Sequence, residues 1–361
     1  MRGRRLVCFS AYSTNLRAAA LVRLLAAAGY EVVVSRPRGK PGSISELVRT
    51  LIPNCWLALT CRADLAVGFK PHLNVTLPLL ICRLRGIPTW IDVDDLDHAY
   101  RDGVLGRVVE VSQRPFPRLF RIVTYHNTRL KDYLLGPMRC RAEQLLRVEQ
   151  GVDYGTFGVP PAATRTGEIR KSFPVAGKRV AIYTAHLNVA SDLEPVLAAW
   201  QTVVTQLPDA LLLVVGGGPM LDVYREMVRT MGLAGHVAFT GEVPHQHVPA
   251  YVAVGNAALL YFSARLASDY RCSLKLREYF AAGVRVVCND VGELKEFAHL
   301  TYQSASDPNQ FAANIVRVLQ GFSDGRERTA RTYAAEHLDW RAIVKAAEPE
   351  IAKRAFPKEK P

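Results

Sequence analysis

The chain has 361 residues, a length that suits two domains better than one small core. Hydrophobic residues make 49% and charged residues 22%, values that exclude a disordered or fibrous chain. The 46 Lys+Arg against 33 Asp+Glu leave a net charge of +13, which points to anionic partners: phosphates, nucleic acid or an anionic membrane face.

The predicted elements alternate. Arg5–Phe9 reads as a buried strand, Leu16–Ala28 as a helix closed by Gly29, and Glu31–Ser35 as a β-branched strand. The basic start before Leu6 faintly imitates a leader, but its apolar run is too short for one. Leu65–Gly68 and Thr89–Val93 are further strands, separated by a helix over Val75–Arg85 that Gly86 and Pro88 end. Arg121–Tyr125 is another strand, followed by a helix through Leu135.

Residues 159–178 hold Pro160, Pro161, Gly167, Pro174 and Gly177 with little periodicity and read as a linker. A second alternating series follows. Arg179–Thr184, Ala210–Val215, His236–Thr240, Ala257–Phe262, Arg285–Cys288 and Leu300–Gln303 are strands, with helices over Leu193–Gln206 and Met220–Met231. The expected fold class is therefore α/β, with two Rossmann-like doubly wound domains. The domains are drawn at 1–158 and 179–337.

No apolar stretch approaches the roughly 20 residues of a spanning helix. The seven cysteines are odd in number and contain no Cys-x-x-Cys pair, so neither a disulfide framework nor a zinc site is expected. Thiols in a reducing cytoplasm are the simple reading. Charge is uneven: residues 1–155 carry 23 Lys+Arg against 13 Asp+Glu, a net +10, so this half should meet the anionic partner. A series of Arg107, Arg114, Arg118 and Arg121, with Phe116, Leu119 and Phe120 interleaved, would suit an anionic lipid surface. No recognised nucleic-acid module is present, and no specific nucleic-acid partner is expected.

Three stretches carry chemistry. Gly216-Gly217-Gly218-Pro219 follows an apolar strand and precedes a helix, where glycines let a ligand approach the backbone. It is not the dinucleotide fingerprint, and the first turn of the chain lacks that fingerprint too, so a dehydrogenase is disfavoured. In Arg271-Cys272-Ser273-Leu274-Lys275, Ser273 is a good N-cap and Gly283 a good stop. Lys275 in a first helical turn opposes the helix dipole, which makes sense if an anion binds there. Glu278 lies one turn on, where a carboxylate can hold sugar hydroxyls or simply pair with Lys275. The third stretch is Asp92-Val-Asp94-Asp95-Leu-Asp97, with four carboxylates at a strand end. It is a functional edge or a solvated, helix-capping loop. No metal is predicted.

Taken in order, Gly151-Val-Asp153, Leu211–Pro219, His236–Pro244, Val248-Pro-Ala-Tyr251, Lys275–Gly283 and Val286–Glu293 resemble the retaining glycosyltransferases of family 4 over about residues 148 to 320. The first half matches more loosely, at Leu84–Asp95 and Val123–Leu134. The resemblance implies a GT-B fold, with two domains facing a cleft and a last helix, 338–356, crossing back to the first. It implies a nucleoside-diphosphate-sugar donor, no further cofactor, and a hydroxyl acceptor, with lipid-linked hydroxyls among the candidates.

The resemblance places the diphosphate on Arg271, Lys275 and the N–H groups of Ser273 and Leu274, the ribose on Glu278, and the nucleotide against Gly217 and Gly218. Relatives carry an acid where Tyr270 stands, so Asp269 is the substitute donor-sugar residue. Where relatives have Gly-Arg and a later Lys, this chain has Ala185-His186, leaving His186 for one phosphate contact. Asp94 or Asp95 would orient or deprotonate the acceptor, and Lys275 would stabilise the leaving group. The departures at Ala185, Ser191 and Tyr270 motivate the alternative, a non-catalytic scaffold subunit of the same fold. The expected location is cytoplasmic, at the inner face of the membrane.

Overall fold

The computed structural model describes residues 3–38, 43–100 and 103–357. Met1 and Arg2, with which the leader-like start begins, lie outside these residues. The described residues fall into two compact units. The first draws on Met1–Gly151, Asp269–Cys272 and Trp340–Pro361, and the second on Val152–Ser268 and Ser273–Asp339.

The first unit is built on a six-stranded parallel sheet. Its strands are β1 (Arg5–Ser10), β2 (Glu31–Val34), β3 (Leu65–Phe69), β4 (Thr89–Asp92), β5 (Ile122–Tyr125) and β6 (Leu145–Arg147), in the order β2-β1-β3-β4-β5-β6. The central strands are apolar on both faces, as parallel strands between helices must be. One face packs Val7, Phe9, Ile91 and Val123 under helices. The other packs Leu6, Cys8, Val67 and Trp90.

Helix Trp340–Ala355 belongs to this unit. Its Trp340, Ile343, Val344 and Ile351 join that second face, and Tyr30 Oη donates to Glu348 at 2.6 Å. The expected return of the last helix to the first domain is therefore what the chain does.

The longest helix among the described residues, Ile44–Thr60, has no counterpart among the predicted elements. Pro53 sits inside it and masks its periodicity. Ser43 caps it by accepting from Glu46 N at 3.2 Å.

The second unit holds β7 (Arg179–Thr184), β8 (Ala210–Val215), β9 (Val237–Phe239), β10 (Ala257–Leu260), β11 (Val286–Asn289) and β12 (Tyr302–Ser304). Their order is β12-β11-β10-β7-β8-β9, all parallel, with the switch in strand order between β7 and β10. Ligands of such sheets bind beyond the carboxyl ends of strands at that point.

Two readings shift at the unit borders. The stretch 159–178 is not merely a linker: Ala163–Ser172 is a helix whose Ile169 is buried in the second unit's core. Little periodicity betrays it, because one apolar residue suffices to seat so short a helix. Asp269–Cys272 group with the first unit although their chain neighbours belong to the second.

Candidate functional site

In the second unit a cavity of about 340 Å³ opens at the carboxyl ends of β7 and β8. His186, Gly216, Gly217, Lys275, Glu278 and His245 are among its walls. The glycines are there for steric reasons. Gly216 has φ +133°, and a Cβ on it would overlap the Ala185 carbonyl oxygen. A Cβ on Gly217 would come within 2.8 Å of Glu242 N. Gly218 serves packing rather than the cavity: with φ +147°, its Cβ would meet Leu187 O at 2.5 Å. The turn thus lets three loops meet at the strand ends and leaves backbone lining the space.

Helix Leu274–Ala282 supplies the opposite wall. Ser273 caps it, its hydroxyl accepting from Leu276 N at 3.2 Å, and Gly283 ends it at φ +69°. The Ser273 N–H, expected to meet a phosphate, is engaged by the Glu293 carboxylate. That carboxylate also pairs with Arg277 at 2.6 Å, and both side chains are fully buried. The pair anchors the helix start. Leu274 and Lys275 remain lining residues, and the Lys275 Nζ stands 4.7 Å from the centre of the Tyr183 ring, a cation–π distance.

Glu278 is 5% exposed, yet its carboxylate borders the cavity. His245 Nε2 donates to Glu278 Oε1 at 2.6 Å. This hydrogen bond raises the imidazole pKa above its ordinary value, outweighing the opposing effect of burial. The site therefore holds a buried acceptor oriented by a histidine, a cation one turn away and a glycine-lined wall. Such an arrangement can grip hydroxyls at one point and an anion at another.

In the first unit the acidic run leaves the end of β4. Asp92 is buried and structural: Arg17 Nε donates to its Oδ2 at 2.8 Å and Arg17 Nη2 to its Oδ1 at 3.0 Å. Thr124 Oγ1 also donates to Asp92 Oδ1, at 2.5 Å. Asp94 and Asp97 share Lys70, whose Nζ lies 3.3 Å from Asp94 Oδ1 and 2.9 Å from Asp97 Oδ1. His72 also pairs with Asp97. Burial pushes Asp97 up, but Lys70 and His72 outweigh it and hold the carboxyl well below its usual range. The Asp94 carbonyl accepts from His126 Nε2 at 2.6 Å.

Asp95 is the exception in this cluster. Burial raises its pKa to about 7, helped by Asp94 and Asp97 and opposed by Lys70 and Arg271. A carboxyl that exchanges its proton near neutrality can accept one from a hydroxyl. Tyr270 packs edge-on against Tyr133 at 5.4 Å, and its carbonyl accepts from Asn127 Nδ2 at 3.3 Å. Arg271 and Asp269 lie in this unit, so the cavity of the second unit is built without them.

The predicted site residues thus separate. His186, Gly217, Leu274, Lys275 and Glu278 meet at one cavity, with Ser273 supporting it. Asp94, Asp95 and Arg271 lie in the first unit. Sequence reasoning missed His245, Glu242, Lys70, His72 and Arg17. The signal for His245 was its place just after Val243-Pro244, at the end of a motif that was otherwise read. Lys70 and His72 carried one as well: they flank Pro71, directly after a strand.

Residues 178–321 match the family model for glycosyl transferases group 1. Over 157 residues the chain is 29% identical to a GDP-mannose-dependent alpha-(1-6)-phosphatidylinositol monomannoside mannosyltransferase of Mycobacterium tuberculosis. That match covers 43% of this chain and 40% of the relative, so the chain spans less than half of the relative's length in alignment. Among solved structures, sucrose-phosphate synthase from Thermosynechococcus elongatus aligns with a TM-score of 0.77 at 16% identity, covering 99% of this chain and all of that one. Anabaena HepE in complex with UDP aligns with a TM-score of 0.72 at 14% identity, covering 97% and 99%. At these identities the likeness shows a shared fold, the two-domain α/β architecture of GT-B proteins.

Proposed function

We propose that this chain, which carries a glycosyl transferases group 1 domain over residues 178–321, is a retaining glycosyltransferase. It moves a sugar from a nucleoside-diphosphate sugar to a hydroxyl acceptor. The observation that carries the reading is Glu278: a buried carboxylate on the cavity wall, oriented by His245 and one helical turn from Lys275. In this reading Glu278 accepts from the ribose hydroxyls, the backbone at Gly216 and Gly217 lies against the nucleotide, and Lys275 faces the diphosphate. His186 adds a polar contact there.

The chemical work is electrostatic. Charge develops on the leaving diphosphate as the glycosidic bond breaks, and a fixed cation stabilises that charge more than the ground state. Asp95, whose proton is exchangeable near pH 7, takes the acceptor proton, and Asp94, held by Lys70, positions it. Arg271, in the first unit with Asp95, opposes the rise of the Asp95 carboxyl pKa. The reading asks for no cofactor beyond the sugar nucleotide.

The matched mannosyltransferase is named as GDP-mannose-dependent and as acting on a phosphatidylinositol glycolipid, and HepE was solved with UDP. GDP and UDP are therefore the bases to test first, and a lipid-linked hydroxyl is the first acceptor class. With a net charge of +13 and no helix among the described residues long and apolar enough to cross a membrane, the proposed location is the cytoplasmic face of the membrane, held peripherally.

The test is a calorimetric titration with GDP, UDP, ADP and their sugars, comparing wild type with Lys275→Ala and Glu278→Ala. One nucleotide should bind, and each substitution should weaken it at least tenfold, or about 1.4 kcal/mol. No binding by any nucleotide would overturn the donor site. Binding without transfer or hydrolysis would return the chain to the scaffold reading.

A further inference from the structure

A cavity of about 850 Å³ in the first unit lies at the amino end of its sheet, the end opposite the acidic run. Thr89, which opens β4, and Arg121, just before β5, line it. So do Arg83 from the last turn of helix Leu73–Leu84 and Lys353 and Arg354 from the last turn of helix Trp340–Ala355. Arg118, Arg139 and Arg141 complete a basic wall in which Glu143 is the single acid.

Helix carboxyl ends favour cations, and that accounts for Arg83, Lys353 and Arg354. It does not account for the rest. Three of the guanidiniums, those of Arg83, Arg121 and Arg354, are held by carbonyls. Arg83 donates to Leu119 O, Arg121 Nε to Arg354 O at 2.5 Å, and Arg354 Nη1 to Glu143 O at 2.8 Å and Leu145 O at 2.9 Å. These bonds fix the forks without neutralising them. Among the described residues, Arg141, 3.0 Å from Glu143, and Arg354, 3.9 Å from Glu350, are the two of this wall that pair with an acid. Arg118, Arg139 and Lys353 make no side-chain hydrogen bond or ion pair among the described residues. Gathering like charges in one concavity is costly unless an anion joins them.

We propose that this cavity binds a phosphate-bearing anion, with Arg118 and Arg139 as its principal contacts. Their planar guanidiniums suit bidentate contacts to phosphate oxygens, and they stand beside the carbonyl-held forks of Arg83, Arg121 and Arg354. The volume is near the upper end of the ~300–1,000 Å³ usual for ligand pockets, so it admits more than one phosphate or a phospholipid headgroup. Arg118 and Arg139 also border a second, mostly apolar cavity of about 370 Å³ with Val111, Pro115, Pro137 and Met138. The shared chemistry is the phosphate group. Its two sources are an anionic phospholipid and a soluble polyphosphate.

The experiment has two arms. Sedimentation with phosphatidylglycerol vesicles, against phosphatidylcholine vesicles, reads the lipid source. Calorimetry with inorganic pyrophosphate and inositol hexakisphosphate reads the soluble one. The Arg118→Gln/Arg139→Gln double variant should keep the wild-type melting temperature and lose at least tenfold in whichever arm binds. The same double variant should keep the wild-type affinity for GDP or UDP, whichever the donor cavity binds, which separates this site from that cavity. An Arg170→Gln/Lys171→Gln control removes two exposed charges elsewhere and should have little effect. Binding in either arm that follows this pattern supports the site and names its source. Failure of the wild type to bind any probe overturns it, as does an equal loss in the control variant or no loss in the double variant.

Discussion

The Glu278 side chain is 6% exposed, whereas that of His245, whose Nε2 lies 2.6 Å from the Glu278 Oε1, is 63% exposed. The pair thus joins a buried acceptor to a solvent-facing switch. His245 has a raised pKa, so the pairing contributes stability fully below about pH 6.5, the ordinary value, and loses it as pH rises through the raised one. The wild type should melt above His245→Asn at pH 5.5, and the gap should close toward pH 9. Melting curves across that range check this, and a gap independent of pH would show that the hydrogen bond, not the charge, matters.

The Arg17–Asp92 pair is of another kind. Both side chains are nearly inaccessible, at 3% and 2%, and the contact is bidentate. Removing one partner leaves a buried charge uncompensated, which costs about 3–5 kcal/mol, whereas replacing both restores much of the loss. Arg17→Met should be far less stable than Arg17→Met/Asp92→Leu in urea denaturation. If the double variant is as unstable as the single one, the Arg17 bonds to the Val148 and Glu149 carbonyls carry the stability instead.

Asp95 also makes stability fall with rising pH, but here the cost is an ionised carboxyl rather than a lost pairing. Its carboxyl is raised to about 7, so the folded state binds the proton more tightly than the unfolded chain. Stability falls as pH rises from about 4 to 7 and stays reduced above that. Asp95→Asn should melt above wild type at pH 8 and lose that advantage below about pH 4. If Asp95 takes the acceptor proton, transfer by the wild type rises through about pH 7, and Asp95→Asn abolishes the rise while nucleotide affinity is kept. A transfer profile unchanged by the substitution would assign the cluster to structure alone.

Two glycines should respond oppositely to alanine. At Gly216 a Cβ strikes the Ala185 carbonyl and φ is +133°, so Gly216→Ala should cost roughly 2–4 kcal/mol and disturb the cavity wall. Gly167 lies inside helix Ala163–Ser172 with open space around it. Gly167→Ala should stabilise by about 0.4–1 kcal/mol through the unfolded state. Thermal melts of the two variants decide both.

Much of the architecture follows from local pattern. Apolar runs such as Ala210–Val215, alternating with helices, dictate parallel strands, because only a sheet covered on both faces buries such runs. Ser273 and Gly283 bound their helix by capping chemistry alone, and the Lys275-to-Glu278 spacing sets both on one helix face. Helix Ile44–Thr60 and helix Ala163–Ser172 escaped because an internal proline and a single buried isoleucine leave no clear period.

What only the tertiary structure decided is which neighbours in sequence act together. Arg271 and Ser273 are two residues apart, yet they belong to different units, and the Ser273 N–H is claimed by Glu293, twenty residues on. His245 meets Glu278 across thirty-three residues, and Arg118 and Lys353 line one cavity although 235 positions separate them. Caps, strands and helix faces depend on residues a few positions apart, so sequence alone determines them. Partners of buried charges depend on where the sheets bring distant loops, so they emerge only when the chain is folded.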